Sequence, residues 1–198
     1  MSSLKSAELG RALFYGIGRR KDYKRAFPFL IRAAQEGYVH WQYLTAYALH
    51  DGLGVQQDLR AARRWYAKAG KKGHAGALFN LALMYDNGNG VQREPRKAFL
   101  FYKKAAEEGD AWAQCNLGVA YLEGLGTPKN LKKGTRWLQK AAKQGDPEAQ
   151  FNLGLAYLEG EGVRKSSNLA RGWLRRAARR SHKQAAQILR RSIVKRNR

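Results

Sequence analysis

The histidines and the single cysteine are the residues of this chain best suited to bind a metal or act as a nucleophile. The four histidines are His40, His50, His74 and His182. None lies at metal-ligand spacing from another or from Cys115, and no nucleophile can be paired with a base and an orienting group. An acidic setting raises the pKa of a thiol, which argues against a reactive Cys115. We therefore expect no catalytic residue, no metal site and no cofactor.

Carboxylates and glycines are the other candidates for chemistry. Asp and Glu recur at caps and helix ends rather than as a facing pair, so glycosidase-like acid and base roles are not expected. A Gly-x-Gly motif could cradle a phosphate, but no Gly-Lys-Ser/Thr follows it and it occurs five times. The pairs are Gly16/Gly18, Gly52/Gly54, Gly88/Gly90, Gly124/Gly126 and Gly160/Gly162. Turn geometry explains them better than phosphate binding does.

The glycine pairs belong to a repeat of 36 residues. An aromatic residue keeps the same period, at Phe29, Trp65, Phe101, Trp137 and Trp173. The repeats span residues 2–37, 38–73, 74–109, 110–145 and 146–181, and residues 182–198 supply a capping helix and a basic tail. One repeat cannot bury its own apolar stripe, so neighbouring repeats must stack. We expect a single solenoid domain over residues 1–198.

Each repeat is predicted to fold as helix, glycine turn, helix and turn. In the last repeat the first helix covers about 146–159 and the second about 168–180, because apolar residues recur at helical spacing. Second helices are expected to begin near good amino-terminal caps or, in the third repeat, at a proline. These residues are Asp22, Asp58, Pro95, Asn130 and Ser166.

The last repeat carries a recognisable pattern. From Asn152 to Val163 it reads Asn-Leu-Gly-x-x-Tyr-x-x-Gly-x-Gly-Val, and Ala170-x-x-Trp173-x-x-x-Ala177-Ala follows. The chain resembles the Sel-one-like repeat family, a relative of the tetratricopeptide repeat. The resemblance implies an all-α, right-handed α/α superhelical solenoid that serves as a scaffold or adaptor, not as an enzyme. It also implies that first helices line a concave groove and second helices form the convex wall.

Four predicted first helices, 38–51, 74–87, 110–123 and 146–159, contain seven acids and no Lys or Arg. Residues opposite the buried stripe of each helix should face the groove. The predicted groove residues are Tyr43, Tyr47, His50, Phe79, Leu83, Asp86, Trp112, Cys115, Val119, Leu122, Phe151, Leu155 and Leu158. An apolar strip edged by carboxylates favours an interaction site for a protein or peptide. The alternative is that neighbouring first helices shield these residues.

The rest of the chain is strongly basic, with 38 Lys and Arg against 15 Asp and Glu and a net charge of +23. Candidate anion-binding residues of the convex wall and tail are Arg60, Arg64, Lys68, Lys104, Lys133, Lys140, Arg176, Arg180, Arg190, Arg191, Lys195 and Arg196. From residue 162 to the end there are thirteen basic residues and no acid. Phe and Trp of the second helices are assigned to the core, so any nucleic-acid contact would be led by phosphates. A merely solvated helix surface is the alternative.

Two functional hypotheses follow. The first is a bacterial adaptor, including the immunity type, that binds one protein or peptide in its groove; the alternative is a module that docks nucleic acid or an anionic surface through its basic wall. Both functions could be present in the same protein, with the basic wall docking it while the groove binds the partner. No apolar run is long enough to span a membrane, residues 1–10 lack the apolar core of a signal peptide, and a single cysteine suits a reducing compartment. We expect a cytoplasmic monomer.

Overall fold

The computed structural model describes the backbone of residues 3–194 and the side chains of residues 5–190. Over this part of the chain it is entirely helical. The helices are α1 (Ser3–Tyr15), α2 (Tyr23–Gln35), α3 (Val39–Asp51), α4 (Leu59–Lys71), α5 (Ala75–Asn87), α6 (Pro95–Glu107), α7 (Ala111–Glu123), α8 (Leu131–Gln144), α9 (Pro147–Glu159), α10 (Ser167–Arg179) and α11 (Lys183–Val194). The odd-numbered helices from α1 to α9 are the first helices of the five repeats, and the even-numbered helices from α2 to α10 are the second helices.

Side-chain caps start the second helices where the sequence predicts. The carboxylates of Asp22 and Asp58 each accept a hydrogen bond from the backbone N–H three residues later, at 2.9 and 2.8 Å. Asn130 does the same at 2.9 Å and Ser166 at 3.3 Å. In the third repeat no side chain caps the helix, and Pro95 occupies its first position. The prediction of these starts is confirmed.

The Gly-x-Gly pairs form the turns between first and second helices. Gly52 and Gly54 have φ of 70° and 71°, a left-handed conformation that residues with a Cβ rarely adopt. Gly54 also lies against the preceding repeat, where an added Cβ would overlap the backbone of Tyr23. This turn therefore requires glycine for two reasons, its φ angles and the contact of Gly54 with the repeat before it.

The chain forms two compact units, Met1–Glu108 (unit 1) and Gly109–Arg198 (unit 2). Their boundary coincides with the end of the third repeat. In each unit, the core lies where the first and second helices of a repeat meet and where the next repeat stacks on them. In unit 2, for example, Cys115 of α7, Leu138 of α8 and Leu153 of α9 belong to one buried cluster.

The last helix closes unit 2 as the sequence predicts for a capping helix. Ala185 is fully buried, and Ile188 and Leu189 pack against the core of the fifth repeat. The side chain of Ile193 lies outside the described residues. Among the described residues, no helix combines the length and apolar character needed to cross a bilayer.

Candidate functional site

The first helices α3 and α5 of unit 1 present a row of aromatic rings. Tyr43 and Tyr47 stack with their ring centroids 6.4 Å apart and their planes within 9° of parallel. Tyr43 also stacks on His74, at 4.4 Å, and His74 lies 5.9 Å from His40 in a further stack. All four rings are half-buried, so each keeps part of its surface in contact with solvent. We call this set the unit 1 first-helix surface.

Both histidines of this surface favour the neutral form. Burial lowers the pKa of His40 and of His74 below the ordinary value. Next in size, the positive charge of Arg11 lowers the pKa of His40 further, and the neighbouring His40 does so for His74. His74 also caps α5, because its Nδ1 accepts the backbone N–H of Ala77 at 3.3 Å. A neutral Nδ1 is required for that bond.

The predicted groove residues at the end of α3 and along α5 are partly committed to the protein itself. His50 and Asp51 pair at 2.6 Å between Nδ1 and Oδ1. Burial raises the pKa of Tyr47, and a hydrogen bond with Asp51 raises it further. Asp86 accepts a hydrogen bond from the hydroxyl of Tyr102 at 3.2 Å. Asp86 thus links α5 to the second helix α6, whereas the pair of His50 and Asp51 stays within α3.

Two further predicted residues lie on α5. The ring of Phe79 lies 6.1 Å from that of Tyr102, between centroids, and its side chain is half-buried. Leu83 is also half-buried. Both therefore leave apolar surface in contact with solvent on unit 1.

Unit 2 offers a second apolar face on α7 and α9. Trp112 is 64% exposed, and Val119 lies two turns further along the same side of α7. On α9, Leu155 and Leu158 are half-buried, so their surface is partly open. Leu122 is half-buried too, but it faces α8, since a Cβ at residue 134 would lie 2.7 Å from its Cδ2 atom. We call Trp112, together with the half-buried Val119, Leu155 and Leu158, the unit 2 first-helix surface.

The carboxylates of unit 2 divide into structural and exposed groups. Asp110 and Asp146 cap α7 and α9 by accepting backbone N–H groups at 2.8 and 2.6 Å. Burial is the main cause of a raised pKa of Asp110. Glu123 and Glu159 are exposed at the helix ends, and the side chain of Glu148 is 59% exposed. Those three carboxylates give the unit 2 first-helix surface its negative rim.

Two predicted groove residues, Cys115 and Phe151, are buried, and the expectation that they line a groove is wrong. Cys115 is 4% exposed and packs in the cluster that includes Leu153 of the next repeat. Phe151 is 9% exposed, and its ring stacks on His182 at 4.3 Å. Both occupy the position of Tyr43 in the repeat, which faces the start of the following first helix. The angular position of a residue on one helix does not show whether its side chain meets solvent or a neighbouring repeat.

Burial also decides the chemistry of the cysteine. It is the largest cause that raises the pKa of the Cys115 thiol, and the Asp146 and Glu148 carboxylates raise it further. A thiol that stays protonated is a poor nucleophile. In the part of the chain that the structure describes, no three of the His, Cys, Asp and Glu side chains are grouped to hold a metal.

The predicted anion-binding residues lie on exposed surface wherever the structure describes them. This holds for Arg60, Arg64, Lys68, Lys104, Lys133, Lys140, Arg176, Arg180 and Arg190. The side chain of Arg191, and the whole of Lys195 and Arg196, lie outside the described residues.

The aromatic residues of the second helices are not confined to the core as expected. Trp65, Trp137 and Trp173 are half-buried, and each carries a cation over its ring. The distances to the ring centroid are 4.3 Å from Lys68, 3.9 Å from Lys140 and 4.5 Å from Arg176. This pairing could have been predicted from the sequence, because the recurring aromatic residue of the second helix is followed three positions later by Lys or Arg in all five repeats.

Comparison with protein families gives a match over most of the chain. The Sel1 repeat model matches residues 7–38, 42–74, 75–110, 113–146 and 147–182. These five segments agree with the predicted repeats to within a few residues. A comparison with curated proteins found no match.

Solved structures share the fold. A Sel1 repeat protein from Oxalobacter formigenes is 26% identical, with a TM-score of 0.86 over 95% of this chain and 75% of that one. A protective antigen of uropathogenic Escherichia coli with an SLR fold is 36% identical, with a TM-score of 0.87 over 92% of this chain. This chain spans only 39% of that antigen. An immunity protein from Pseudomonas aeruginosa is 20% identical, with a TM-score of 0.60 over 93% of this chain and 68% of that one.

Proposed function

The chain belongs to the Sel1 repeat family, and we propose that it is a non-enzymatic adaptor that binds a protein or peptide through the exposed faces of its first helices. Proteins of this family are generally protein-interaction scaffolds. The proposal assigns the contact to the unit 1 and unit 2 first-helix surfaces.

The exposed side chain of Trp112 is the observation that carries the proposal. A tryptophan that is 64% exposed leaves a large apolar ring in water, and such rings bury on the order of 150 Å² when a partner covers them. Tryptophan is also enriched among the residues that dominate binding energy in interfaces. Val119 on the same side of α7 and Leu155 on α9 extend the apolar contact.

Charge supports a particular kind of partner. Neither α7 nor α9 contains Lys or Arg, and Glu123, Glu148 and Glu159 edge the unit 2 first-helix surface. A segment with apolar side chains flanked by Lys or Arg would complement this surface, because its apolar side chains would meet the apolar residues and its cations would meet the carboxylates. The half-buried rings of the unit 1 first-helix surface would receive a separate apolar segment.

The test is a pair of variants that each place a charge on an exposed apolar residue. Trp112→Glu changes the proposed contact, whereas Leu169→Glu changes α10, where the leucine is 51% exposed. Partner recovered by affinity purification from the native host is then measured against each purified variant. We expect Trp112→Glu to weaken binding at least about tenfold and Leu169→Glu to leave it unchanged.

Circular dichroism first verifies that both variants keep the helical content of the unchanged protein. Equal affinity of Trp112→Glu and the unchanged protein would reject the assignment of the contact to α7.

An immunity-type role is the narrower form of the proposal. In this form the adaptor has one partner, which it neutralises in the cytoplasm. The Pseudomonas aeruginosa immunity protein shares the fold at 20% identity, and that degree of likeness supports the fold alone. The deciding measurement is the growth of cells that express the partner identified by affinity purification, with and without this chain. If cells without the chain show no growth defect, the narrower form is rejected.

A further inference from the structure

The second helices of unit 2 carry a concentration of positive charge that the protein does not neutralise. Helices α8 and α10 together contain nine Lys and Arg and no Asp or Glu. We call their exposed cations the unit 2 basic surface. The surface includes Lys140, Arg176 and Arg179, and we add to it the exposed Arg180, which directly follows α10.

The two units differ in how their cations are paired. In unit 1, five Lys and Arg side chains form ion pairs with carboxylates, among them Arg32 with Glu36 at 3.5 Å. Within residues 109–190, the structure shows no ion pair of a Lys or Arg with a carboxylate. Clustered cations repel one another, so their presence without counter-charges favours an external anion. A solvated helix surface usually mixes both signs.

Contacts join the ends of the two helices into one surface. Arg180 follows α10 and lies beside Gly145 at the end of α8, where an added Cβ would be 2.9 Å from the guanidinium. At the other end, the hydroxyl of Thr135 on α8 donates to the carbonyl of Gly162 at 3.3 Å. Lys140, one turn before the end of α8, and Arg176, in the last turn of α10, therefore belong to neighbouring parts of the molecule.

Indole rings hold two of these cations in place. The Nζ of Lys140 lies 3.9 Å from the Trp137 centroid, and the guanidinium carbon of Arg176 lies 4.5 Å from the Trp173 centroid. A cation on a ring face loses little further conformational freedom when an anion binds it. Both cations remain exposed, so an anion can reach them from solvent.

The side chains indicate which anion fits. All four cations of α10 are arginines, and the guanidinium fork matches a phosphate with two parallel hydrogen bonds. A membrane contact would need a large apolar face beside the charges, but Leu169 is the only large apolar residue of α10 that is exposed in the described structure. An acidic protein would similarly need an apolar centre to its interface.

We infer that the unit 2 basic surface binds the phosphate backbone of a nucleic acid without regard to its sequence. The contact is separate from the first-helix surfaces, so it adds an activity to the proposed adaptor function and does not depend on it. Binding led by phosphates releases counterions, and its affinity must therefore fall steeply with salt.

The experiment measures fluorescence anisotropy of a labelled DNA duplex of about 20 base pairs with the full chain, from about 50 to about 200 mM salt. The test variant combines Lys140→Gln, Arg176→Gln and Arg179→Gln. Its matched control combines Arg25→Gln, Arg32→Gln and Lys103→Gln, which removes the same charge from cations that are already paired with carboxylates.

We expect the unchanged chain to bind the duplex at the lowest salt. We expect the test variant to bind at least about tenfold more weakly, with a salt slope smaller in magnitude by about three, and the control to change neither quantity strongly. Circular dichroism verifies folding. Should the test variant lose helicity, Arg179→Gln alone decides, through a slope change of about one.

Three outcomes would overturn the inference. The first is no duplex binding at the lowest salt, and the second is an equal loss in the control and test variants. The third is tighter binding of polyglutamate, or of vesicles containing phosphatidylserine, than of the duplex at equal salt, which would assign the surface to another class of partner. The capture of a protein partner by Trp112 is measured separately, so either proposal can fail alone.

Discussion

The position shared by Tyr43, Cys115 and Phe151 shows what one residue can and cannot reveal from sequence. Each residue lies opposite the buried stripe of its own helix, which the spacing predicts. What the next repeat places beside it differs: His74 stacks on Tyr43, a core cluster surrounds Cys115, and His182 covers Phe151. Periodicity within one helix carries no information about this neighbour, so the exposure of these residues could not be predicted.

His74 leads to a prediction about pH at the residue scale. Its folded-state pKa is lowered, chiefly by burial, so the unfolded chain binds protons more readily as the pH falls. Stability contributed by the neutral ring is present above the unfolded pKa of about 6.5 and is lost as the pH falls below it. His74→Asn keeps a good helix cap but removes the titration.

We expect the free energy of unfolding in urea to fall less for His74→Asn than for the unchanged protein between about pH 7.5 and about pH 5.5. The difference between the two proteins isolates the histidine from carboxylates that titrate in both. An equal fall in the two proteins would contradict the account of the His40–His74 pair.

At the scale of elements, the helix starts and turns could be predicted because local chemistry determines them. Capping side chains such as Asp58 and Asn130 satisfy backbone N–H groups within one turn. The Gly-x-Gly turns need left-handed φ values, and glycine is the residue that adopts these values without steric cost, so the sequence predicts the turns directly. The cation over each indole of Trp65, Trp137 and Trp173 was missed, because those rings were assigned wholly to the core.

Two glycines inside helices give a matched test of packing. An alanine Cβ at Gly118 of α7 would lie 2.8 Å from the Leu138 Cγ of α8, whereas nothing lies within 4 Å of a Cβ at Gly172 of α10. Gly118→Ala should therefore destabilise the protein by about 1 to 3 kcal/mol through overpacking. Gly172→Ala should stabilise it by about 0.5 to 1 kcal/mol, because alanine favours the helix.

Thermal and urea unfolding of the two alanine variants would check these values. A stabilising Gly118→Ala would mean that α7 and α8 can separate at no cost. In that case the close approach of the two helices would not explain why glycine occupies this position.

At the scale of the whole molecule, charge is divided between the two kinds of helix. The first helices α3, α5, α7 and α9 contain no Lys or Arg, while second helices such as α8 and α10 contain no acid. This division was predictable from sequence once the repeat was known. That residues 1–198 form a single domain stays a prediction, since the contacts group the chain into two compact units.

The most direct test of the central claim is photocrosslinking with a light-activated amino acid in place of Trp112, and separately in place of Arg176. In the native host, the residue at position 112 should attach a protein partner, and excess unmodified chain should compete for that partner. The residue at position 176 should not attach the same protein. Attachment from position 176 but not from position 112 would contradict the assignment of partner binding to the first helices.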